Sequence, residues 1–298
     1  MKKILQVIVR LCIAGLIYGI FWFIWLIPAF ALPFLSKLAG TTGYYTMRKS
    51  RRRVLHNLFL AFGDWRPISW RKKICRQLFS EIAHNALEVI AWSKLKARHI
   101  EKKVIVNGEE ILKEALKSGK GVVAVCAHLG NFPALQVRLL RLGFPMNVII
   151  RNATNPYLNS LWEKMMRRLG MRYIMKANLR RAIEDSRISL RHGDCLCIYL
   201  DQHAGNGVRV SFFGRPVLAP VGAAVLARKY HCPVIGIFTF RKDCGHHQVI
   251  IEGPYPVQRS ENLDQDIINN TALFLSRVEH YVRQHPEQWF SWIHRRFR

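Results

Sequence analysis

Four short runs of the chain are apolar without polar alternation: GVVAVCA (121–127), NVII (147–150), DCLCIYL (194–200) and PVIGIFTF (233–240). A strand with one face in water alternates, whereas a strand covered on both faces does not, so each run predicts a doubly buried strand. Between them lie ALQVRLLRLG, PYLNSLWEKMMRRLG, LRRAIEDSRISLRHG and GAAVLARKYH, which read as helices, three of them stopping near a glycine. Strands that alternate with helices predict an α/β domain with a mixed, largely parallel sheet flanked by helices. HQVIIEG adds a further strand, and residues 263–284 a closing helix.

The amino terminus follows a different rule. From Leu11 to Leu35 there is no charged residue, a length sufficient to cross a hydrocarbon core of about 30 Å as a tilted helix. The run exceeds the roughly 7–15 apolar residues of a signal peptide and has no small-x-small cleavage site, so it reads as a retained membrane-anchoring helix. Lys2, Lys3 and Arg10 precede it; Lys37, Arg48, Lys49, Arg51, Arg52 and Arg53 follow with no acid before Asp64. That imbalance leaves the body of the protein in the cytoplasm. Pro28 and Pro33 predict a kink or an embedded end. The expected organisation is an anchor over 1–36, a basic amphipathic helical region over 37–103 and the α/β core over 104–298. Two placements are open to the middle region: basic face on anionic headgroups, or apolar side packed on the core.

Charge narrows the partners. Lys and Arg number 46 against 19 Asp and Glu, a formal net charge of +27, so an anionic neighbour is expected. A base-reading motif is absent and nucleic acid leaves the apolar amino terminus unexplained, which points to an anionic membrane surface or a phosphorylated lipid. The seven cysteines form no CxxC pair and no Cys/His set with zinc spacing, so they read as free thiols, and neither a metal nor a nucleotide cofactor is indicated. SGKG (118–121) lacks the preceding glycine and following Ser/Thr of a phosphate loop and reads as a helix stop.

CAHLGNFPAL (126–135) carries the chemistry. In an open α/β sheet ligands gather at the carboxyl ends of strands, and the first buried run delivers His128 there. Gly130 permits a tight turn, and Pro133 suits the first turn of the next helix. An imidazole so placed can take a proton from a hydroxyl. It can equally cap the helix.

AHLGNF is similar to the histidine-acid block of the lysophospholipid-type acyltransferases, in particular the bacterial lipid A late acyltransferases that transfer lauroyl and myristoyl groups. VIIRNATNPYLN (148–159), YLDQHAGNGVRVSFFGRPVLAPVGAAVLARKYHCPVIGIF (199–238) and HPEQWFSWIHRRFR (285–298) resemble further blocks of that family, in order. The resemblance implies a glycerolipid-acyltransferase-like fold and an inner-membrane enzyme. Such an enzyme moves an acyl chain from an acyl carrier protein thioester, or acyl-CoA, to a hydroxyl of a phosphorylated glycolipid, a lipid A precursor. On that resemblance His128 is the general base and Asn131, Arg151, Asp201, Gln202 and Arg215 form the substrate site, with Arg151 and Arg215 as anionic contacts. Surface roles for the two arginines and a capping role for Asp201 stay open.

The departure is Pro133, which stands where the family pattern has Asp or Glu five residues after the histidine. Such a carboxylate holds the ring in one tautomer and stabilises the imidazolium. Asp201, at the end of a neighbouring strand, is the first candidate to replace it, and Glu88 the second. Two other readings remain: acylation of another lipid (a glycosylated phospholipid, an ornithine lipid or an aryl lipid), and a catalytically silent protein that binds lipid or carrier protein.

Overall fold

The computed structural model describes residues 15, 18, 19, 22–92, 97–151, 156–176, 178–243 and 245–297. Helices α1 (Leu32–Thr46), α2 (Arg48–Phe62), α3 (Ile68–Trp92) and α4 (Ala97–Lys103) precede the sheet. There follow β1 (Val104–Asn107), α5 (Glu109–Lys117), β2 (Val122–Cys126), α6 (Phe132–Arg141), β3 (Met146–Ile150), α7 (Pro156–Arg168), β4 (Tyr173–Met175), α8 (Leu179–Arg191) and β5 (Cys195–Tyr199). A hairpin of β6 (Val208–Phe212) and β7 (Arg215–Ala219) leads to α9 (Gly222–Tyr230), β8 (Val234–Asp243), β9 (His246–Tyr255) and α10 (Leu263–Gln284). A C-terminal segment with two short 3-10 turns, Pro286–Gln288 and Phe290–Ile293, completes the chain.

Seven strands pair in the order β1-β9-β8-β2-β5-β3-β4. Every pairing is parallel except β8 with β9, which is antiparallel. The four apolar runs become the interior strands β2, β3, β5 and β8. Their residues divide by parity between two cores. Val123, Val125, Leu196 and Ile198 pack on the side of α9 and α10, whereas Val122, Ala124, Cys195 and Cys197 pack on the side of α6 and α7. Burial on both faces is why these runs show no alternation.

The amphipathic region packs its apolar side on the α/β core. Val54, Leu58 and Phe62 of α2 and Leu78 and Phe79 of α3 share one hydrophobic cluster with β2 and β5, while Arg48, Lys49 and Arg52 stay exposed. Gly40 lets α1 lie against α3: a Cβ there would stand 2.4 Å from the Ser80 backbone. Part of the expected spanning run falls on residues 11–14, 16, 17, 20 and 21, outside the described ones. Residues 22–26 are helical, the helix stops at Ile27 and Pro28, and a 3-10 turn over Ala29–Ala31 leads into α1 with Pro33 in its first turn. α1 therefore runs through the boundary expected at residue 36. Among the described residues no helix is long and apolar enough to cross a membrane.

Candidate active site

Register places the site. β2 and β5 are parallel neighbours with Cys126 opposite Tyr199, so His128 and Asp201, each two residues further on, emerge side by side at the carboxyl edge of the sheet. The turn after β2 passes so close to β8 that only glycine fits at 130. Its φ is 54°, and a Cβ would stand 2.7 Å from the Phe240 Cα.

Asp201 is fully buried and makes four contacts in the site. Its Oδ1 lies 2.7 Å from His128 Nδ1. Its Oδ2 accepts from the His128 backbone N–H at 3.0 Å, from Trp289 Nε1–H at 2.8 Å and from the Ser291 hydroxyl at 2.8 Å. Burial alone would raise this carboxyl, but the charge and hydrogen bonds of His128, with the Trp289 N–H, outweigh it and hold the group well below the usual carboxylate range. A carboxylate on Nδ1 selects the tautomer with the proton there, which leaves Nε2 with its lone pair free to accept. The first of the two carboxylates weighed from sequence is thus the one that meets the ring. The carboxylate is wholly enclosed, and its four bonds all go to protein groups.

The His128 side chain keeps 18% of its surface exposed. Its ring packs against Tyr199 at 4.5 Å between centroids, Phe132 at 4.9 Å and Phe290 at 6.4 Å. Phe132 and Phe290 also line an apolar cavity of about 300 Å³, closed by α3 through Asn85 and Val89 and by α7 through Trp162. Pro133 is part of that lining. The residue that departs from the family pattern is therefore an apolar wall.

Asn131, expected to bind substrate, is instead wholly buried and donates its amide to Glu88 Oε2 at 2.8 Å. The same oxygen meets Arg241 Nη2 at 3.1 Å and His247 Nε2 at 2.8 Å. Burial would raise Glu88, yet the bonds and charges of His247 and Arg241 hold it well below its ordinary range. Arg241 also bonds Glu81 and Asn85, and Asn85 donates to the Gly130 carbonyl at 2.8 Å. Nearby His84 is pushed down to about 4 by burial and by the Arg241 charge.

The other expected residues are dispersed. Arg151 is exposed at the end of β3 beside Lys176, whose amine is lowered by burial and by the Arg151 charge. Gln202 follows Asp201, half-buried. Arg215 opens β7, and its Nε donates to the Leu60 carbonyl of α2 at 2.6 Å, so the structure binds it to the basic helix and not to the ring. Local sequence reading missed Arg241, and with it the roles of Trp289 and Ser291. Their block at 285–298 had been noticed, but nothing local assigned its tryptophan and serine to a carboxylate some ninety positions away. Among the described residues no group of His, Cys, Asp and Glu could hold a metal.

A carboxylate-held histidine at a strand end, with an apolar cavity beside its ring, is the layout of an α/β enzyme that handles an acyl group. Residues 2–298 match the family described as bacterial lipid A biosynthesis acyltransferase, and the chain belongs to it. It is an acyltransferase. The chain is similar to the lipid A biosynthesis acyltransferase of Haemophilus influenzae, 24% identical over 286 residues, with 92% of this chain and 86% of the relative covered. It is also 24% identical over 164 residues to lipid A biosynthesis acyltransferase 2 of Shigella flexneri, covering 51% of this chain and 52% of that one.

Proposed function

We propose that the protein transfers a fatty acyl group from an acyl carrier protein thioester to a hydroxyl of a lipid A precursor at the cytoplasmic face of the inner membrane. His128 Nε2 removes the hydroxyl proton as the oxygen attacks the thioester carbonyl. The tetrahedral adduct then expels the thiolate, which takes the proton back from the imidazolium. Asp201 holds the ring and balances the imidazolium; it does not accept the proton itself. The acyl chain occupies the cavity walled by Phe132, Pro133 and Phe290, where each buried methylene contributes about 0.8 kcal/mol. Arg151 and Lys176, at the same edge of the sheet, supply positive charge for a phosphate, and Gln202 shapes the mouth. Arg215 contacts anionic headgroups from the basic side.

One observation carries this reading: the 2.7 Å contact between His128 Nδ1 and Asp201. The motive for a silent homologue was the missing acid at position 133, and a carboxylate from β5 removes that motive. Membrane association is supported by the exposed Phe23, Leu26, Phe30 and Phe34, which continue the uncharged run, and by the exposed Arg48, Lys49 and Arg52 just after it. Purified protein incubated with acyl carrier protein thioesters and a lipid A precursor adds one acyl chain, read by mass spectrometry, and His128→Ala adds none. Wild-type protein that acylates no lipid A precursor from donors of any chain length defeats the reading; transfer to another lipid keeps the chemistry and changes the acceptor.

A further inference from the structure

The C-terminal segment is built into the site as a strap. The Phe290 N–H donates to the His128 carbonyl at 2.9 Å, and the Gly130 N–H donates to the Gln288 carbonyl at 3.1 Å, a short antiparallel bridge across the turn after β2. Gln288 then clamps the end of β8 with both ends of its amide, accepting from the Arg241 N–H at 2.7 Å and donating to the Arg241 carbonyl at 2.9 Å. So held, Trp289 and Ser291, both without exposed surface, aim their donors at one carboxylate oxygen, each at 2.8 Å.

We propose that Trp289 and Ser291 are positioning residues that set the proton affinity of the Asp201–His128 pair. The inference rests on the reading of His128 as the base. Neutral donors on Oδ2 share the anion's charge without cancelling it. They make Asp201 a weaker base, so it stabilises an imidazolium less than a carboxylate without those two donors would. Among the described residues no Lys or Arg bonds Asp201, and the imidazole is its only ionisable hydrogen-bond partner. If the two donors are removed, the carboxylate binds the imidazolium more tightly, and more of the base is spent as its conjugate acid at any given pH.

Other groups face the pair. Tyr199 on β5 and Cys126 on β2 are both raised by burial and keep their protons through neutral pH. Arg296, lowered to about 10 by burial, keeps its charge. His294 is lowered by burial and by the His128 charge, so the comparison is repeated in a His294→Gln background.

The test compares wild type, Trp289→Phe, Ser291→Ala and the double variant. Two readouts are taken from pH 5.5 to 9: kcat/KM for acyl transfer, and the rate at which diethyl pyrocarbonate modifies His128, followed on its peptide by mass spectrometry. The acid limb of both profiles moves up by about half a pH unit in each single variant and about one unit in the double, with the high-pH plateau within about threefold of wild type. A uniform loss at every pH with the limb unmoved overturns the proposal and leaves the strap a purely structural element, as does an unchanged profile. Ser291→Ala, the smallest change, carries the test if the others do not fold. Modification needs no turnover, so it still decides the matter if wild type transfers no acyl group, an outcome that would sink the functional reading alone.

Discussion

On one side of the turn after β2, Asp201 meets His128; on the other, Glu88 meets His247 at 2.8 Å. Both carboxylates are buried and both are held in their charged form. The difference lies in what else binds them. Glu88 faces the Arg241 guanidinium at 3.1 Å, which already balances its charge, and His247 is sealed with no exposed side-chain surface, edge-on to Trp92. Among the described residues Asp201 receives only neutral donors besides the ring, and His128 keeps an open side next to the cavity. With His128 as the proposed base, a buried carboxylate–histidine contact alone does not define one. The carboxylate must be left with charge for an imidazolium, and the ring must be reachable.

The largest effects separate the two pairs. Asp201→Asn presents an amide where the ring needs an acceptor of full charge, and the cost in kcat should approach the roughly ten-thousand-fold seen when an orienting acid is neutralised in a serine-protease triad. Glu88→Gln instead leaves Arg241 and His247 facing a neutral amide. Breaking a buried pair from one side costs about 3–5 kcal/mol, here toward the lower end because Glu81 still bonds Arg241. Steady-state kinetics and thermal unfolding on both variants should cross over: Asp201→Asn loses turnover with the smaller drop in Tm, and Glu88→Gln loses several degrees with turnover kept within about tenfold. The comparison breaks if Glu88→Gln is the slower enzyme.

Why one pair was readable and the other was not follows from distance along the chain. Doubly buried strands announce themselves by continuous apolarity, so β2, β3, β5 and β8 and the helices between them stood where expected. Two of those strands ending side by side made Asp201 a candidate for His128. β1 and β4 are edge strands of four and three residues, too short for any period to emerge, and β6 and β7 lie inside the 199–238 block with no strand pattern read from them. Asn131 entered the expected substrate site by resemblance; in the fold its amide meets Glu88 on α3, forty-three residues earlier. The links from Arg241 to Glu88 and from Trp289 and Ser291 to Asp201 join segments that come together only in the fold, and no local pattern encodes them.

Position 133 sharpens the comparison by adding a third carboxylate between the two pairs. Pro133→Glu restores the family pattern and sits in the first turn of α6, where an acid is electrostatically favourable. Since Asp201 already occupies Nδ1, the new group gains no role in orientation and points into an apolar wall. An unpartnered carboxylate there is buried as the neutral acid, whose unsatisfied hydroxyl costs roughly 1–3 kcal/mol. With a long-chain thioester, kcat/KM should fall about tenfold, with kcat for a short-chain donor unchanged. A rise in kcat of more than about threefold would mean that Asp201 orients the ring incompletely.

The smallest effect concerns stability and pH on the Glu88 side alone. His84 is pushed down to about 4 in the folded protein, by burial and by the Arg241 charge, while its unfolded value is about 6.5. Between those values the unfolded chain binds a proton that the folded chain does not, so stability falls as pH descends from about 6.5 toward 4. Glu88 and Asp201 act in the same direction but lower, because their depressed carboxyls withdraw support only below about 4. Thermal unfolding scanned from pH 7 to pH 5 should therefore show a drop in Tm that His84→Gln flattens and Asp201→Asn leaves in place. If Asp201→Asn removes the drop instead, the two sides of the turn are not independent, and the division between a stabilising pair and a reacting pair fails.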